Sequence, residues 1–296
     1  MKTTQNFDEK ILDNKDLFTS DFYKRFGLRH APSPIRLTDK IAKDYLFPTF
    51  YGDVTCAQAI FLCNYEKVVK MMLHPAIKPV KFPRGRAVVA FACYIYRQVL
   101  GVLPYNEIAM TIPVLVDSPI NLPVLPILMS SYPGFGYYVF SMPVTSKENM
   151  LRGHKIWGLP KVTQEIDIFD DGPDCVTVAM EESGKKYFEL RVSRGGNPTP
   201  MDVEGFLYSK LDNDLKKSRT NFRATFNIQK NMKVLFHAGL KAEKPLLKLF
   251  DTPSGRALKD LELEEQPLQT RYTATMEASF DLPQPDYKSK TVNFKG

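Results

Sequence analysis

The stretch GHKIWGLPKV, residues 153–162, decides how the rest of the chain is read. It sets a single lysine, Lys161, directly behind Pro160 and within a few residues of Ile156, Trp157 and Leu159. An ammonium held against apolar side chains is penalised relative to the free amine, because only the charged form loses its hydration. A lysine with a lowered pKa is partly unprotonated near neutral pH, which is what attack on a ketone carbonyl requires. The same residues also fit a strand-entry turn whose lysine points to solvent, as most lysines do.

Working outward, residues 135–142 read as a strand, and Thr145 with Glu148 three residues on fits a capping box for a helix over 146–155 that ends near Gly158. That helix delivers Lys161 to a strand over 163–169. Residues 176–181 and 187–192 form a hairpin turning at Ser183-Gly184. The run Gly195-Gly196-Asn197-Pro198 breaks the chain, and a short helix is expected over 203–211. Residues 222–228, 233–236, 246–250 and 271–280 supply four more strands. On the other side, residues 56–63 suit a strand, and Asn64 caps a helix through Met72 with Val68, Val69 and Met72 as its apolar stripe, stopped by His74-Pro75. Residues 87–96 and 108–116 are strands, the first buried on both faces, followed by a long proline-rich connection of the kind that shapes a site or an interface. Strands far outnumber helices and no βαβ rhythm appears. The expected fold is a β-rich α+β architecture, a mostly antiparallel sheet closed into a barrel or cone with a few peripheral helices.

Three ordered stretches carry a resemblance to a known family. Residues 153–162 resemble the Schiff-base segment of the acetoacetate decarboxylase family, where a glycine, two polar residues, a short apolar stretch and a proline lead into the reactive lysine. Upstream, PYNEIAMTIPV (104–114) is similar to that family's Tyr-x-Glu segment and the apolar strand after it. Downstream, LKLFDTPSGRALKDL (247–261) resembles its LxLFD strand and the proline-containing loop that follows. The resemblance spans roughly residues 104–283 and implies a β-rich barrel or cone with the lysine inside. It favours the nucleophile over the solvent-exposed lysine.

Length and composition set the frame. A chain of 296 residues, 44% hydrophobic and 25% charged, is long enough for one sizeable core. The expected division is an N-terminal extension over 1–50, one domain over 51–286 and a C-terminal tail over 287–296; the polar extension, with one short helix, either wraps the domain or reaches a neighbouring subunit in a homo-oligomer. Cys56, Cys63, Cys93 and Cys175 have no CxxC spacing and lie among apolar neighbours, so they read as reduced core thiols of an intracellular protein. The N-terminus lacks the apolar core of a signal peptide, and the most apolar stretch, 112–129, contains Asp117 and four prolines, which excludes a membrane helix. The expected location is cytoplasmic. The formal net charge of +7 raises the possibility of a polyanionic partner. The basic residues are spread, however, with Lys216, Lys217, Arg219 and Arg223 the densest group, and no aromatics interleave with them as in a nucleic-acid module. A solvated basic face that steers an anionic keto acid fits better.

By the resemblance, the glutamate of the Tyr-x-Glu motif is Glu107, a carboxylate placed to hold substrate or move a proton during imine formation. Without the resemblance it reads as an exposed strand-end acid. Tyr105, Trp157, Leu159 and Pro160 are the residues expected around the substrate. Lys161 would condense with a β-keto acid, and the protonated imine would accept the electron pair released as CO2 leaves. No metal or organic cofactor is required, and His30, His74, His154 and His237 have no metal-ligand spacing.

The chain departs from the family pattern in several places. Val162 stands where the decarboxylase has a second lysine, Ala92 where the family has a second carboxylate, and His154 and Lys155 where it more often has arginine and glutamate. The arginine used toward the substrate carboxylate has no match near Asp53 and Val54. Activation of Lys161 must then rest on desolvation, helped by Arg152, Lys155 or His154. An aldolase or dehydratase working through the same imine, or a non-catalytic small-ligand-binding protein, are the alternatives to a decarboxylase.

Overall fold

In the computed structural model, which describes residue 3 and residues 7–118, 120–129 and 132–290, the alternating segments on both sides of Lys161 pair into one large, mostly antiparallel sheet. Its strands are β1 (Thr49–Asn64), β2 (Arg86–Val99), β3 (Tyr105–Val116), β4 (Phe135–Val144) and the short β5 (Lys161–Thr163). A smaller second sheet is formed by β6 (Glu165–Asp170), β7 (Cys175–Glu182) and β8 (Lys185–Ser193). The large sheet resumes with a long hairpin, β9 (Asn197–Leu211) and β10 (Asp214–Lys230). After β11 (Leu247–Leu249), which joins the second sheet, come β12 (Gln269–Thr273) and β13 (Glu277–Pro283).

The order β1-β2-β3-β4-β9-β10-β12 returns to β1, because β4 pairs with β3 on one side and β9 on the other while β12 joins β10 to β1. β13 runs beside β12 and pairs with the same two strands. The strands thus close into a ring, which leaves few unpaired edges.

Alternation along each strand then sorts the core residues of the ring onto an outer and an inner face. On β1 and β2, Ala57, Ala59, Phe61, Val89, Phe91 and Cys93 face outward and pack against the second sheet through Val178, Phe188 and Leu190. The opposite face points into the ring, where Val54, Cys56, Ala92, Tyr96, Ala109, Val139, Phe226, Ile228 and Phe280 gather. The register shift between Met110 and Thr111, facing β4, changes which β4 residues point inward: Val139 does so before the bulge, and Met142 and Val144 after it. Lys161 pairs in register with Met142, so its side chain enters the ring as well.

Several local expectations are corrected. Residues 203–211 are strand, not helix: β9 tolerates Pro198, Pro200 and Gly205 because a long partner, β10, supplies its whole ladder. Residues 233–236 form one helical turn instead of a strand. The strand expected over 271–280 is split into β12 and β13 at residues 274–276. The helix after β4 is capped by Ser146, whose hydroxyl accepts from the Asn149 N–H, and not by Thr145, whose hydroxyl accepts from the Asn106 N–H. Glu148 is no capping partner; it is buried against Lys43 (2.8 Å) and the Tyr45 hydroxyl. Within the N-terminal extension, Phe18, Phe22, Leu37, Tyr45 and Phe47 are all buried. Cys56, Cys63 and Cys93 are buried free thiols and Cys175 is half-buried. Residues 291–296 of the expected tail lie outside the described residues. Among those residues no helix is long and apolar enough to cross a membrane.

Candidate functional site

The segment before β5 explains its own composition. A short helix, α1 (Lys147–Arg152), runs into a wider π-turn, Gly153–Trp157, that Gly158 ends in the left-handed conformation at φ 64°. A side chain at Gly158 would also strike the Lys210 carbonyl. Gly153 serves a different purpose. Its backbone is helical, yet a Cβ there would meet the Lys161 Cδ and lie 2.9 Å from Cγ and Cε. The lysine stem therefore lies directly over the bare glycine, and the amine emerges inside the ring.

There, Lys161 Nζ donates to Glu107 Oε2 at 2.5 Å, and both side chains are only 6% exposed. The amine also sits 5.7 Å from the Tyr105 ring centroid. Burial pushes the Lys161 pKa down; the Glu107 charge and hydrogen bond pull it back up, and the Arg152 charge lowers it again, leaving it below its ordinary value. Glu107 is the third residue of β3 and not an exposed strand-end acid.

Tyrosines close around the carboxylate. Tyr96 donates to Glu107 Oε1 at 3.4 Å, its ring lies 5.0 Å from Tyr105 and 4.6 Å from Tyr51, and Tyr94 stacks on it at 5.1 Å. Burial, reinforced by the Glu107 charge, raises the pKa values of Tyr94, Tyr96 and Tyr105 well above the usual range, and Tyr51 is pushed up to about 12. All four stay protonated at neutral pH. The Tyr105 hydroxyl faces Tyr51 without a well-formed hydrogen bond, so a buried donor stands free beside the amine.

Of the three helpers weighed for the missing second lysine, only Arg152 is inside. It is 1% exposed, donates to Asn149 Oδ1 at 3.0 Å and Thr49 Oγ1 at 2.9 Å, and stacks over the Tyr45 ring at 4.4 Å. Among the described residues it has no ion pair, because Glu148, four positions earlier, is taken by Lys43, and its Nε lacks an acceptor. His154 and Lys155 are exposed; the His154 Nε2–H donates to the Lys161 carbonyl at 2.6 Å and holds the backbone. The Val162 departure also changes meaning. Adjacent strand residues point to opposite faces, and Val162 is 45% exposed on the outside. A lysine at that position would point away from the Lys161 amine.

The other residues expected around the substrate separate. Trp157 and Leu159 are buried in the inner cluster, but the Trp157 N–H is committed to the Asp281 carbonyl (2.8 Å) and its ring stacks on Phe280 at 4.8 Å. Pro160 is exposed. Tyr96 and Tyr51 escaped the sequence reading, although the Tyr-Ile-Tyr alternation of 94–96 puts two tyrosines on the face shared with Glu107. A cleft of about 800 Å³ opens at the rim between Asp53, Met201, Arg223 and Met276. Lys161, Glu107 and Tyr105 do not line it, though Met201, Ala224 and Met276 belong to both the cleft and the inner cluster.

Comparison with known proteins agrees with this fold. No curated protein sequence matches the chain. Among solved structures, an acetoacetate decarboxylase from Legionella pneumophila superposes with a TM-score of 0.56 at 14% identity, covering 86% of this chain and 91% of that one. A second acetoacetate decarboxylase structure gives 0.54 at 12%, covering 80% and 87%. The enduracididine biosynthesis enzyme MppR, solved in complex with pyruvate, gives 0.55 at 12%, covering 79% and 88%. At such identities these likenesses speak for the fold alone. The sequence model of the family described as acetoacetate decarboxylase matches residues 32–216, more than half of the chain, and its match includes Glu107, Arg152 and Lys161. The chain belongs to the acetoacetate decarboxylase family.

Proposed function

We propose that the protein is a Schiff-base lyase in which Lys161 forms an imine with a β-keto acid and releases CO2 and a ketone. The observation that carries this reading is a lysine amine buried inside the ring, its pKa lowered by burial, in contact with one carboxylate. The free amine attacks the ketone carbon to give a carbinolamine, and loss of water leaves the protonated imine. The bond from the α-carbon to the carboxylate then breaks. Its electron pair moves into the iminium to form an enamine, and CO2 departs. Protonation at the α-carbon regenerates the imine, and water hydrolyses it to the product ketone and free lysine.

Among the described residues Glu107 is the carboxylate in contact with the amine, so it takes the proton shed by Lys161 and returns one during dehydration and enamine protonation. Tyr105 and Tyr96, held as neutral phenols, donate to substrate oxygen or to Glu107. Ala92 and Ala109 line the wall next to Glu107 and keep it apolar, which favours loss of a carboxylate as neutral CO2. In this reading the protein is a homo-oligomer, and the partner is a small carbonyl acid, not a nucleic acid. The basic group Lys216, Arg219 and Arg223 supports this, since each is matched by an acid: Asp214, Glu204 and Glu277.

A second reading, carbon–carbon bond formation through the same enamine, is favoured by one feature. MppR has also been solved with the condensation product of pyruvate and imidazole 4-carboxaldehyde, at a TM-score of 0.51 and 12% identity. The two are separated by offering β-keto acids with and without an aldehyde and following CO2 and product mass. CO2 release above the spontaneous rate that disappears in Lys161→Met supports the decarboxylase. Aldehyde-dependent condensation without CO2 supports the second reading, and identical behaviour of wild type and Lys161→Met would refute both.

A further inference from the structure

A further, half-buried cation faces the ring interior away from the Lys161–Glu107 pair. On β12, Arg271 pairs in register with Gln58 of β1, which pairs with Ala92 of β2, which pairs with Ala109 of β3. These four side chains share the inner face. The next row holds Thr273, Cys56, Tyr94 and Glu107. Tyr272, between the rows, packs into the outer core, which fixes Arg271 as inward. The charge of Arg271 is felt by Cys56, by Tyr94 and, from β4, by Tyr137.

An arginine inside a closed ring is costly unless it is paired. Among the described residues the hydrogen-bond partner of Arg271 is a neutral one, Gln269 Oε1, which accepts from Nε at 2.9 Å and from one terminal nitrogen at 2.7 Å. No carboxylate pairs with it among the described residues. Gln58, Tyr94 and Tyr137 around it are half-buried. Between Arg271 and Glu107 the wall carries Gln58 and then two alanines, Ala92 and Ala109, with Tyr94 beside Glu107 in the next row, and the alanines leave room on the Glu107 side. The two strands stand three steps apart, roughly 14 Å along the wall. Side chains reaching in from both ends reduce that gap to the length of a short carbon chain.

We propose that Arg271 is a substrate-binding residue that receives a carboxylate remote from the reacting carbonyl, so that the natural substrate is a keto acid with an anionic group several carbons from the carbon joined to Lys161. The ligand lies along the Ala92–Ala109 wall, its carbonyl at Lys161 and its far carboxylate on the guanidinium, which offers a bidentate pair. This rests on imine formation at Lys161. It adds a selection rule that imine formation alone does not contain: anionic over neutral ketones of the same length.

The test uses two matched probe pairs, 4-oxopentanoate and 5-oxohexanoate against their methyl esters, each reduced with borohydride on the protein and scored as added mass on the Lys161 peptide. The expected result is that wild type labels with the acids at roughly 10- to 100-fold lower concentration than with the esters, the range of a charge-assisted contact. Arg271→Gln should erase that preference while leaving ester labelling unchanged, and Arg271→Lys should keep part of it. Ester labelling serves as the fold control, and Arg271→Leu carries the same test if the glutamine variant does not fold. Equal labelling by acid and ester in wild type, or an acid preference that survives loss of Arg271, overturns the assignment while the imine stands. No label on Lys161 with any probe removes both.

Discussion

Gly153→Ala separates the placement of the lysine from the stability of the fold. The added Cβ would meet the Lys161 Cδ and lie 2.9 Å from Cγ and Cε. Neither side gives way easily, since Gly153 is in the π-turn and the lysine stem is buried. Overpacking of this size costs about 1–3 kcal/mol. The backbone gains from the same change: Gly153 is helical at φ −55°, where alanine is better than glycine by about 0.5–1 kcal/mol. The net loss is at most about 2.5 kcal/mol, a drop of several degrees in Tm. The amine, by contrast, must move by about 1 Å, enough to cost on the order of 100-fold in a positioned reaction. The assay is the rate of borohydride-trapped labelling of Lys161 by acetoacetate, alongside a thermal melt. Labelling at the wild-type rate would refute the claim that the glycine exists to seat the lysine.

Tyr105→Phe removes a buried hydroxyl with no well-formed hydrogen bond, so Tm should hold or rise by up to the equivalent of about 1 kcal/mol, while turnover falls; a fall in both would mean the hydroxyl is structural. In Glu107→Gln the partner that raises the Lys161 pKa is lost and the lowering by burial remains, so the acid limb of the labelling rate should move to lower pH as catalytic turnover drops. Arg152→Met works in the opposite sense: removing a cation that lowers the lysine pKa should move that limb to higher pH, and Arg152→Lys should restore it. Val162→Lys, on the outer face, should leave the limb where it is; a shift would show that the outside position senses the amine.

The reactive core of the site was legible because its parts are local. Residues 153–162 fix the lysine and its apolar surroundings, and Tyr105 and Glu107 lie two positions apart on one strand face. What joins them is not local: the β3–β4 pairing and the bulge at Met110/Thr111 bring residues 54 positions apart to 2.5 Å. Tyr51, Tyr96 and Arg271 reach the interior only through the register of β1, β2 and β12. The importance given to Val162 came from reading neighbours in sequence as neighbours in space, which strand alternation forbids. Residues 203–211 read as a helix because glycine and prolines interrupt the period-2 pattern, and the partner that overrides them, β10, begins only after the turn at residues 212–213.

The central claim is that the Lys161 amine is a nucleophile. Reduction with borohydride in the presence of β-keto acids and ketones near neutral pH, followed by peptide mass mapping, tests it directly. The account predicts a carbonyl-derived mass on the peptide containing Lys161, absent in Lys161→Met and from the other lysines of the folded chain. A folded protein that carries no adduct on Lys161 with any of these compounds, or that carries it equally on surface lysines, would contradict it.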